Sequence, residues 1–330
     1  MISIKNDHHD PHFNLALEEY ALRKLDPKRD YVILWQNEPS VIIGRNQNTI
    51  AEINRDYIKK NNINVVRRLS GGGAVYHDYG NLNFTFIVTI KDKDDVNNFK
   101  KFTQPVIQAL DRFGIKAELL GRNDIVIEGK KFSGNAQYFY KNRLLHHGTI
   151  LFNSDLRVVQ EALNVGREKI ESKGIESVRS RVTNIYPYLR EKVEIKEFKA
   201  TLLDYLLEGV EGPKEYILTE EDLRAIRQLM EDRYLKWEWN YGQSPQYRIF
   251  KSKRFSWGQL EIRLDIRDGI IKDMVIFGDF FSSKDIKGLI NKLIAIPYRE
   301  EEINRVLSGI DLTTYFSGIG EGDFQKCIIG

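Results

Sequence analysis

Cysteine is nearly absent from the 330-residue sequence, in which Cys327 is the single example. One thiol excludes an internal disulfide and any metal cluster built from cysteines. Cys327 lies in an apolar run with Ile328 and Ile329, whereas a catalytic thiol needs an ordered and electropositive setting. We therefore expect that the chemistry of this protein does not depend on cysteine.

Net charge and long apolar runs are also lacking. The sequence has 50 Lys and Arg residues against 47 Asp and Glu, and the net charge of +3 is too small to favour nucleic acid as the main partner. No apolar run approaches the ~20 residues of a membrane-spanning helix. Residues 1–7 lack the charged and apolar regions of a signal segment. We expect a cytoplasmic protein that binds neither nucleic acid nor membranes.

The two commonest phosphate-binding motifs are missing as well. No segment matches G-x-x-x-x-G-K-[ST], and the pattern G-x-G-x-x-G fails because Tyr76 stands at its last position. The chain has a different glycine-rich segment, Arg67-Arg68-Leu69-Ser70-Gly71-Gly72-Gly73-Ala74-Val75-Tyr76-His77-Asp78, closed by Asn81.

Three consecutive glycines leave the centre of this segment without side chains, so main-chain N–H groups can approach an anion closely. Arginine adds fixed charge and forked donors for phosphate or carboxylate. The alternative is a tight hairpin, in which the glycines only permit positive φ. Because two arginines precede the glycines and His77-Asp78 follows them, we favour a loop that binds an anionic, nucleotide-like ligand.

A second group of polar residues lies at 121–137. Asp124 opens a predicted strand, and Lys131 precedes Ser133-Gly134. Lys131 could offset charge that develops on a phosphate or carboxylate, and Asp124 could hold a magnesium ion that bridges to phosphate. From this segment alone, the simpler interpretation is that Lys131 is a solvated hairpin residue and that Asp124 caps a turn.

His146 and His147 are adjacent on another predicted strand. Neighbouring residues of a strand face opposite ways, so the pair is not expected to bind one metal ion. We expect one of the two to line a pocket while the other packs or faces solvent.

The hydrophobic pattern predicts a large first domain and a smaller second one. The segment 237–245 marks the end of the first, so we predict domains at 1–245 and 246–330. The main predicted helices cover 13–24, 53–61, 96–113, 220–231, 284–293 and 299–307. The main predicted strands cover 31–36, 40–44, 64–68, 75–88, 116–120, 124–127, 131–140, 143–151, 255–266 and 270–277.

Together these segments resemble the lipoate–protein ligase family. The resemblance is carried by R-R-L-S-G-G-G-A-V-Y-H-D-Y-G-N, N-D-I, K-F-S-G-N-A-Q and H-H-G-T-I-L, in that order. W-E-W-N-Y-G-Q-S-P and G-D-F-F are similar to the junction and accessory domain of the two-domain members. The family shares a catalytic core with biotin–protein ligases and lipoyl/octanoyl transferases. The resemblance implies an α/β (α+β) fold: a large domain with a mixed β-sheet flanked by helices, and a small α+β C-terminal accessory domain.

The same resemblance implies a two-step reaction that uses ATP and Mg²⁺. Lipoate and ATP form lipoyl-AMP and pyrophosphate, and a lysine of an acceptor domain then attacks the mixed anhydride and releases AMP. The implied acceptors are the lipoyl domains of 2-oxoacid dehydrogenase complexes and the glycine-cleavage H protein, in lipoate salvage. The residues fit this chemistry, since joining two anions needs positive charge and N–H donors but no nucleophilic side chain.

The resemblance also implies roles for individual residues of the site. Lys131 matches the family's essential lysine, in contact with the lipoate carboxylate and the α-phosphate. The implied nucleotide-binding residues are Arg68, Gly73, Ala74, Val75, Tyr76, Lys131 and Asp124, and Asp124 would also hold the metal. The implied lipoate-binding residues are Leu17, Trp35, Arg67, Ser70, Gly72, His77, Lys131 and His147. Arg45 and Asn81 would order the loop, and segment 166–181 is expected to close over the adenylate.

Three other functions remain open at this point. An ATP-independent transferase would move lipoyl or octanoyl groups between carrier proteins, although the position of Cys327 disfavours the cysteine-dependent type. A biotin ligase would share the chemistry and differ in its tunnel, and the motif R-R-x-S-G-G-G-A favours lipoate. The third alternative is a non-catalytic relative that binds a nucleotide or RNA. RNA binding would depend steeply on salt concentration, and the balanced charge of the chain disfavours RNA as a ligand.

Overall fold

The computed structural model describes residues 1–90, 97–163, 182–241, 249–267 and 269–329. The strands in these ranges are β1 (Ile2–Ile4), β2 (Tyr31–Trp35), β3 (Ser40–Ile43), β4 (Asn64–Arg67), β5 (Val75–His77), β6 (Asn81–Thr89), β7 (Glu118–Leu120), β8 (Asp124–Ile127), β9 (Lys130–Tyr140), β10 (Arg143–Leu151), β11 (Glu215–Tyr216), β12 (Ile249–Phe255), β13 (Gly258–Arg267) and β14 (Ile270–Gly278).

The α-helices in the same ranges are α1 (Pro11–Lys24), α2 (Thr49–Glu52), α3 (Arg55–Lys60), α4 (Phe99–Arg112), α5 (Leu156–Ala162), α6 (Ile195–Leu206), α7 (Glu220–Leu229), α8 (Trp237–Asn240), α9 (Lys287–Leu293), α10 (Glu300–Leu307) and α11 (Asp323–Ile328). Short helical turns of other types lie at Tyr186–Tyr188, Met230–Tyr234 and Leu312–Thr314.

Eight strands form one mixed sheet in the order β11-β1-β2-β6-β10-β9-β8-β7. β1 runs parallel to both of its neighbours, β2 and β11. The other neighbouring pairs of this sheet are antiparallel: β2–β6, β6–β10, β10–β9, β9–β8 and β8–β7. Helices pack against both faces of this sheet. This arrangement confirms the α/β fold that the resemblance implies.

Strand alternation divides the large sheet into two faces, each with its own core. Phe84 and its neighbours pack against α4 and α6 on one face, whereas Ile33 and Ile87 pack against α1 and α7 on the other. Helix α4 follows the predicted three- and four-residue spacing of apolar positions. It begins at Phe99, three residues later than predicted, because the Asn98 side chain caps the helix there.

Helix α1 is a core helix with acidic residues inside. Asp10 caps it by accepting a hydrogen bond from the backbone N–H of His12, and Pro11 occupies its first turn. Leu15 and Glu18 are both buried. Its position against the sheet therefore places a carboxylate in the interior.

A smaller sheet in the order β4-β3-β5 lies on the α1 side of the large sheet. Its residues Ile42 and Val66 share a core with α1. Residues 68–74, called the glycine loop below, join β4 to β5. Because β3 lies between these two strands and pairs with both, the glycines do not form a tight hairpin between neighbouring strands.

The accessory domain is an antiparallel sheet of β12, β13 and β14 packed against α9, α10 and α11. Its core includes Leu260, Ile276 and Phe316. Cys327 lies in this core, where burial raises the pKa of the thiol to about 11. The sulfur is therefore a neutral thiol at physiological pH.

Two sequence predictions fall on residues outside the described ranges. These are the closing segment 166–181 and the domain boundary near 245. Within the described part of the chain, no helix combines the length and the apolar character that crossing a membrane requires.

Candidate active site

A cavity that is open to solvent lies between the large sheet and the glycine loop. Nine residues singled out from the sequence line it: Trp35, Arg68, Gly72, Gly73, Ala74, Val75, His77, Lys131 and His147. The other lining residues are Leu15, Ile42, Asn83, Asn123, Gly134, Asn135, Ala136, Gly148, Thr149 and Phe281.

One wall of the cavity is a row of residues that crosses four strands. Trp35 on β2 pairs with Asn83 on β6, which pairs with Thr149 on β10. The N–H of Gly134 on β9 donates to Thr149 Oγ1 at 3.2 Å. With neighbouring strands about 4.8 Å apart, the row is roughly 14 Å long. Since Lys131 lies beside Gly134, the cavity has a charged end and, at Trp35, an apolar end.

An ion pair occupies the charged end. Lys131 Nζ lies 2.7 Å from Asp124 Oδ1, and the two side chains are 40% and 38% exposed. A Cβ atom at position 134 would come within 3.0 Å of Lys131 Nζ, so Gly134 leaves room for the ammonium group. The ion pair is therefore accessible to solvent.

Arg68 is buried and holds the glycine loop from inside. Its Nη2 donates to the carbonyl oxygens of Gly71 and Gly73 at 2.6 and 2.9 Å, and its Nη1 donates to Ile42 O at 3.1 Å. Burial lowers the pKa of Arg68 to about 10, which leaves the guanidinium charged at neutral pH. The carbonyl groups of the loop therefore face the arginine, which fixes the shape of the loop.

Replacing Arg68 by methionine is expected to destabilise the loop and weaken nucleotide binding together. The buried carbonyls of Gly71, Gly73 and Ile42 would lose their donor, and a buried unsatisfied acceptor costs about 1–3 kcal/mol. Urea unfolding and calorimetric titration with ATP measure the two effects. As a control, Arg45→Met removes a partly exposed ion pair with Asp285 and a cation–π contact with Tyr138 at 5.5 Å, each expected to contribute up to about 1 kcal/mol. Weakened ATP binding with unchanged stability would instead assign Arg68 to direct contact with the nucleotide.

Arg67, one of the predicted lipoate-binding residues, is not among the residues that line the cavity. Its Nη1 donates to the carbonyl oxygens of Gly44 and Gln47 at 2.9 and 2.7 Å. Its Nη2 donates to Thr49 Oγ1 at 2.6 Å, and its Nε donates to Trp239 O at 2.8 Å. Arg67 therefore ties the segment after β3 to α8, behind the glycine loop.

Leu17 and Tyr76 also lie outside the cavity lining. Leu17 is two residues from Leu15, so the two point about 200° apart around α1, and it is Leu15 that lines the cavity. Tyr76 follows Val75 on β5 and therefore faces the opposite side of the strand, where it packs in another apolar cluster.

Ser70 contributes to a buried chain of hydrogen bonds behind the cavity wall. Ser70 Oγ lies 2.6 Å from His147 Nε2, and His147 Nδ1 lies 3.0 Å from Glu18 Oε1. Glu18 also accepts from Thr85 Oγ1, which accepts from Trp35 Nε1 at 2.9 Å. This chain joins α1, the glycine loop and the sheet, and it holds His147 and Trp35 in place at the wall.

The two adjacent histidines separate as predicted. His147 lines the cavity, whereas His146 faces the other side of the sheet and stacks against Phe102 at 5.2 Å. Burial lowers the pKa of His146 to about 3, so the ring is neutral. Its ring nitrogens lie within hydrogen-bond distance of Gln137 and Asn135.

His77 lies at the apolar end of the cavity. Its ring is 6.1 Å from the ring of Trp35, edge to face, and its Nδ1 lies 3.0 Å from Asn37 Nδ2. Burial, with a contribution from the charge of Arg68, lowers the pKa of His77 to about 3. The ring is therefore neutral at physiological pH. Because an amide nitrogen only donates, Nδ1 accepts and the ring proton is on Nε2.

The accessory domain covers the outer side of the glycine loop. Phe281 lines the cavity, and the Arg122 guanidinium lies 4.2 Å from the centre of its ring. The N–H of Gly72 donates to Phe280 O at 3.4 Å, and a Cβ at Gly71 would lie 2.4 Å from that oxygen. The glycines thus permit close contact between the domains in addition to leaving room for an anion.

Two family models match this chain. The lipoyl protein ligase A/B catalytic domain matches residues 10–207, and the bacterial lipoate protein ligase C-terminus matches residues 244–328. The lipoate-protein ligase LplJ of Bacillus subtilis (strain 168) is 50% identical over 331 residues, which cover 99% of this chain and 100% of the relative. The chain belongs to the lipoate–protein ligase family.

Solved structures of lipoate–protein ligases share the fold. The lipoate complex of LipL1 from P. falciparum has a TM-score of 0.78 and 27% identity, and the match covers 94% of each chain. A bi-partite lipoate protein ligase, studied with its E2 lipoyl domain from Thermoplasma acidophilum, has a TM-score of 0.67 and 30% identity over 75% of this chain and 98% of that one. Lipoate-protein ligase A bound with ATP has a TM-score of 0.64 and 29% identity over 73% and 98%.

The sequence analysis did not predict Glu18, Asn83 or Phe281 as residues of the site. The sequence nevertheless contained a signal for Glu18 and Asn83. Glu18 lies in an otherwise apolar helix segment, and Asn83 interrupts the apolar β6 strand, so each was a polar group in a position that predicts burial. Phe281 belongs to a distant part of the chain, and no sequence pattern places it at the cavity.

Proposed function

We propose that this chain is an ATP-dependent lipoate–protein ligase, which forms lipoyl-AMP and transfers the lipoyl group to a lysine of an acceptor lipoyl domain. The observation that carries the proposal is the polarity of the cavity. Its apolar end at Trp35 suits an acyl chain, and its other end brings the Lys131 ammonium group beside the glycine loop. An acid bound along the row of residues would present its carboxylate where a nucleotide phosphate can also bind.

In the first step, a carboxylate oxygen of lipoate attacks the α-phosphorus of ATP and pyrophosphate leaves. Lys131 would contact both reacting anions and offset their repulsion. N–H groups at Gly73, Ala74, Val75 and Tyr76 would bind the phosphates, on a loop whose shape Arg68 maintains. In the second step, the acceptor amine attacks the acyl carbon and AMP leaves. Neither step needs a covalent bond to the enzyme.

Asp124 is the proposed residue for Mg²⁺. Mg²⁺ in nucleotide sites is usually held by one or two carboxylates together with substrate phosphates and water. A single accessible carboxylate beside the phosphate end fits this mode of binding. The ion would supply further charge neutralisation for the phosphates, and Asp124 would release Lys131 toward the substrate.

The remaining predicted lipoate-binding residues divide into two groups in this proposal. Trp35, Gly72, His77 and His147 would contact the acid, because they line the cavity. Ser70 would act through His147, whereas Arg67 and Leu17 would support the site from outside.

The proposed acceptors are the lipoyl domains of 2-oxoacid dehydrogenase complexes and the glycine-cleavage H protein. The support is the membership in a family of protein-modifying ligases, one of which was studied with an E2 lipoyl domain. The proposed setting is lipoate salvage in the cytoplasm.

Incubation with ATP, Mg²⁺, lipoate and an apo lipoyl domain tests this function, with the acceptor weighed by mass spectrometry. The expected result is a mass gain of one lipoyl group that depends on ATP. Acyl transfer from a lipoylated or octanoylated donor protein without ATP would contradict the proposal and identify a transferase. Repeating the assay with apo H protein decides whether that second acceptor is used.

A further inference from the structure

Arg122 is a solvent-exposed arginine at the rim of the cavity. It lies in the turn that joins β7 to β8, next to Asn123, which lines the cavity. Its guanidinium group is 4.2 Å from the centre of the Phe281 ring, and a Cβ atom on Gly72 would come within 2.9 Å of that ring. The guanidinium therefore lies close to the glycine loop, on a turn that also borders the charged end of the cavity.

The charge of Arg122 is largely unused inside the protein. No described residue forms an ion pair with it, and its one hydrogen bond to a described residue is a 3.5 Å contact from Nη1 to Ser317 O. Partial burial lowers the pKa of Arg122, and the carboxylates of Asp279 and Asp124 act in the opposite direction. A guanidinium keeps its proton in proteins, so most of its N–H groups remain available to an anionic ligand.

The two arginines of the glycine-rich segment are occupied inside the protein. Every side-chain nitrogen atom of Arg67 and of Arg68 donates a hydrogen bond to a described residue. In the proposed function, Lys131 and a magnesium ion at Asp124 offset part of the charge of ATP. Arg122 adds an accessible cation with the planar fork of donors that matches phosphate groups.

The order of the strands indicates where the leaving group would lie. The row of residues that starts at Trp35 reaches Gly134 on β9. Gly134 pairs with Asp124 on β8, which pairs with Leu120 on β7, so the row continues away from Trp35. In an in-line displacement, the attacking and leaving oxygens lie on opposite sides of phosphorus. An acid that extends along the row from Trp35 therefore directs pyrophosphate toward the β7–β8 turn that carries Arg122.

Building on the ligase function proposed above, we propose that Arg122 binds the β- and γ-phosphates of ATP and stabilises pyrophosphate as it leaves. A carboxylate oxygen of the acid forms the new bond to the α-phosphorus, and the bond from that phosphorus to the bridging oxygen breaks. The electron pair of the broken bond stays on the bridging oxygen, so negative charge increases on pyrophosphate. The fork of Arg122 can bind two phosphate oxygens at once, which stabilises this charge.

The experiment measures the two half-reactions of Arg122→Gln separately. Lipoate-dependent exchange of pyrophosphate into ATP gives the KM values for ATP and for pyrophosphate. Transfer to an apo lipoyl domain from lipoyl-AMP, added directly, measures the second step, in which pyrophosphate takes no part. Both KM values are expected to rise roughly 10- to 100-fold, as suits lost hydrogen bonds to a charged group, while the transfer step stays unchanged. Arg122→Lys keeps the charge without the fork and should lie between the wild type and Arg122→Gln.

Arg112→Gln is the matched control. Arg112 is also an exposed arginine stacked on an aromatic ring, with its guanidinium 4.6 Å from the centre of the Tyr205 ring. Because it lies on α4 and does not line the cavity, its replacement should leave the KM values for ATP and pyrophosphate at those of the wild type.

Three results would overturn the inference. The first is an unchanged KM for pyrophosphate in Arg122→Gln. The second is an equal loss in both half-reactions, which would show that the contact of Arg122 with Phe281 only supports the domain interface. The third is a raised KM for the lipoyl domain alone, which would assign Arg122 to the acceptor. Failure of the wild type to form lipoyl-AMP from ATP would instead contradict the proposed function.

Discussion

Replacing Lys131 by alanine is expected to lower the rate of adenylate formation by roughly 100- to 1,000-fold or more, the usual loss when a charge-stabilising donor is removed. Lys131 is the cation placed at the charged end of the cavity, where two anions would have to meet. Its ammonium group is the partner of Asp124 and lies over the space that Gly134 leaves free.

The fold should tolerate this change. Lys131 is 40% exposed, and an accessible ion pair contributes little to stability, about 0–1 kcal/mol. Lipoate-dependent exchange of pyrophosphate into ATP measures the first step, and urea unfolding measures stability. We expect the first to fall steeply and the second to remain close to that of the wild type.

Lys130→Ala provides the matched control for this test. Lys130 is the exposed neighbour on β9, and adjacent strand residues face opposite ways. It carries the same charge, so its replacement changes the net charge equally and should leave pyrophosphate exchange nearly intact. Similar losses in both variants would show that general charge, and not the position of Lys131, supports the reaction.

Replacing Gly44 by alanine is expected to lower the free energy of unfolding by roughly 2–4 kcal/mol and to weaken ATP binding. A Cβ atom on Gly44 would lie 1.9 Å from the carbonyl oxygen of Gly72. Both groups are main chain, so no change of side-chain rotamer relieves the clash. Relief requires the glycine loop to move, and this loop is the proposed phosphate site.

Gly73→Ala is the matched control, because it adds the same methyl group within the loop. A Cβ atom built on Gly73 meets no heavy atom of the described residues within 4 Å. Its stability is expected to stay within about 0.5 kcal/mol of the wild type. Urea unfolding of both variants measures the contrast, and a Gly44→Ala variant as stable as Gly73→Ala would show that the close approach of Gly44 to Gly72 is unimportant.

Local pattern accounted for much of the fold. The apolar spacing of α4 and the alternation that separates His146 from His147 both follow from the geometry of a single helix or strand. Motif order was sufficient to identify the family. These features depend on residues that are close together in the chain. The spacing of side chains along a helix or strand is the same wherever that element packs.

The direction in which neighbouring residues point into the site was less predictable. Arg68 lines the cavity while Arg67 turns to the segment after β3, and Leu15 lines it while Leu17 packs in the core. The two residues of each pair have the same side chain, but their side chains point in different directions. The choice depends on which side of the strand or helix meets the large sheet, and therefore on the packing of elements that are distant in sequence.

The sequence by itself was sufficient to identify the family and to predict two domains. It also pointed to Lys131 and to the glycine-rich segment as parts of the site. Only the tertiary structure decided that Phe281 of the accessory domain reaches the cavity and that Glu18 supports His147. It also decided that His77 and Asn83 lie at the same end. The physical reason is that a site is made where side chains from several elements share one enclosed space, and long-range packing alone sets which of them meet there.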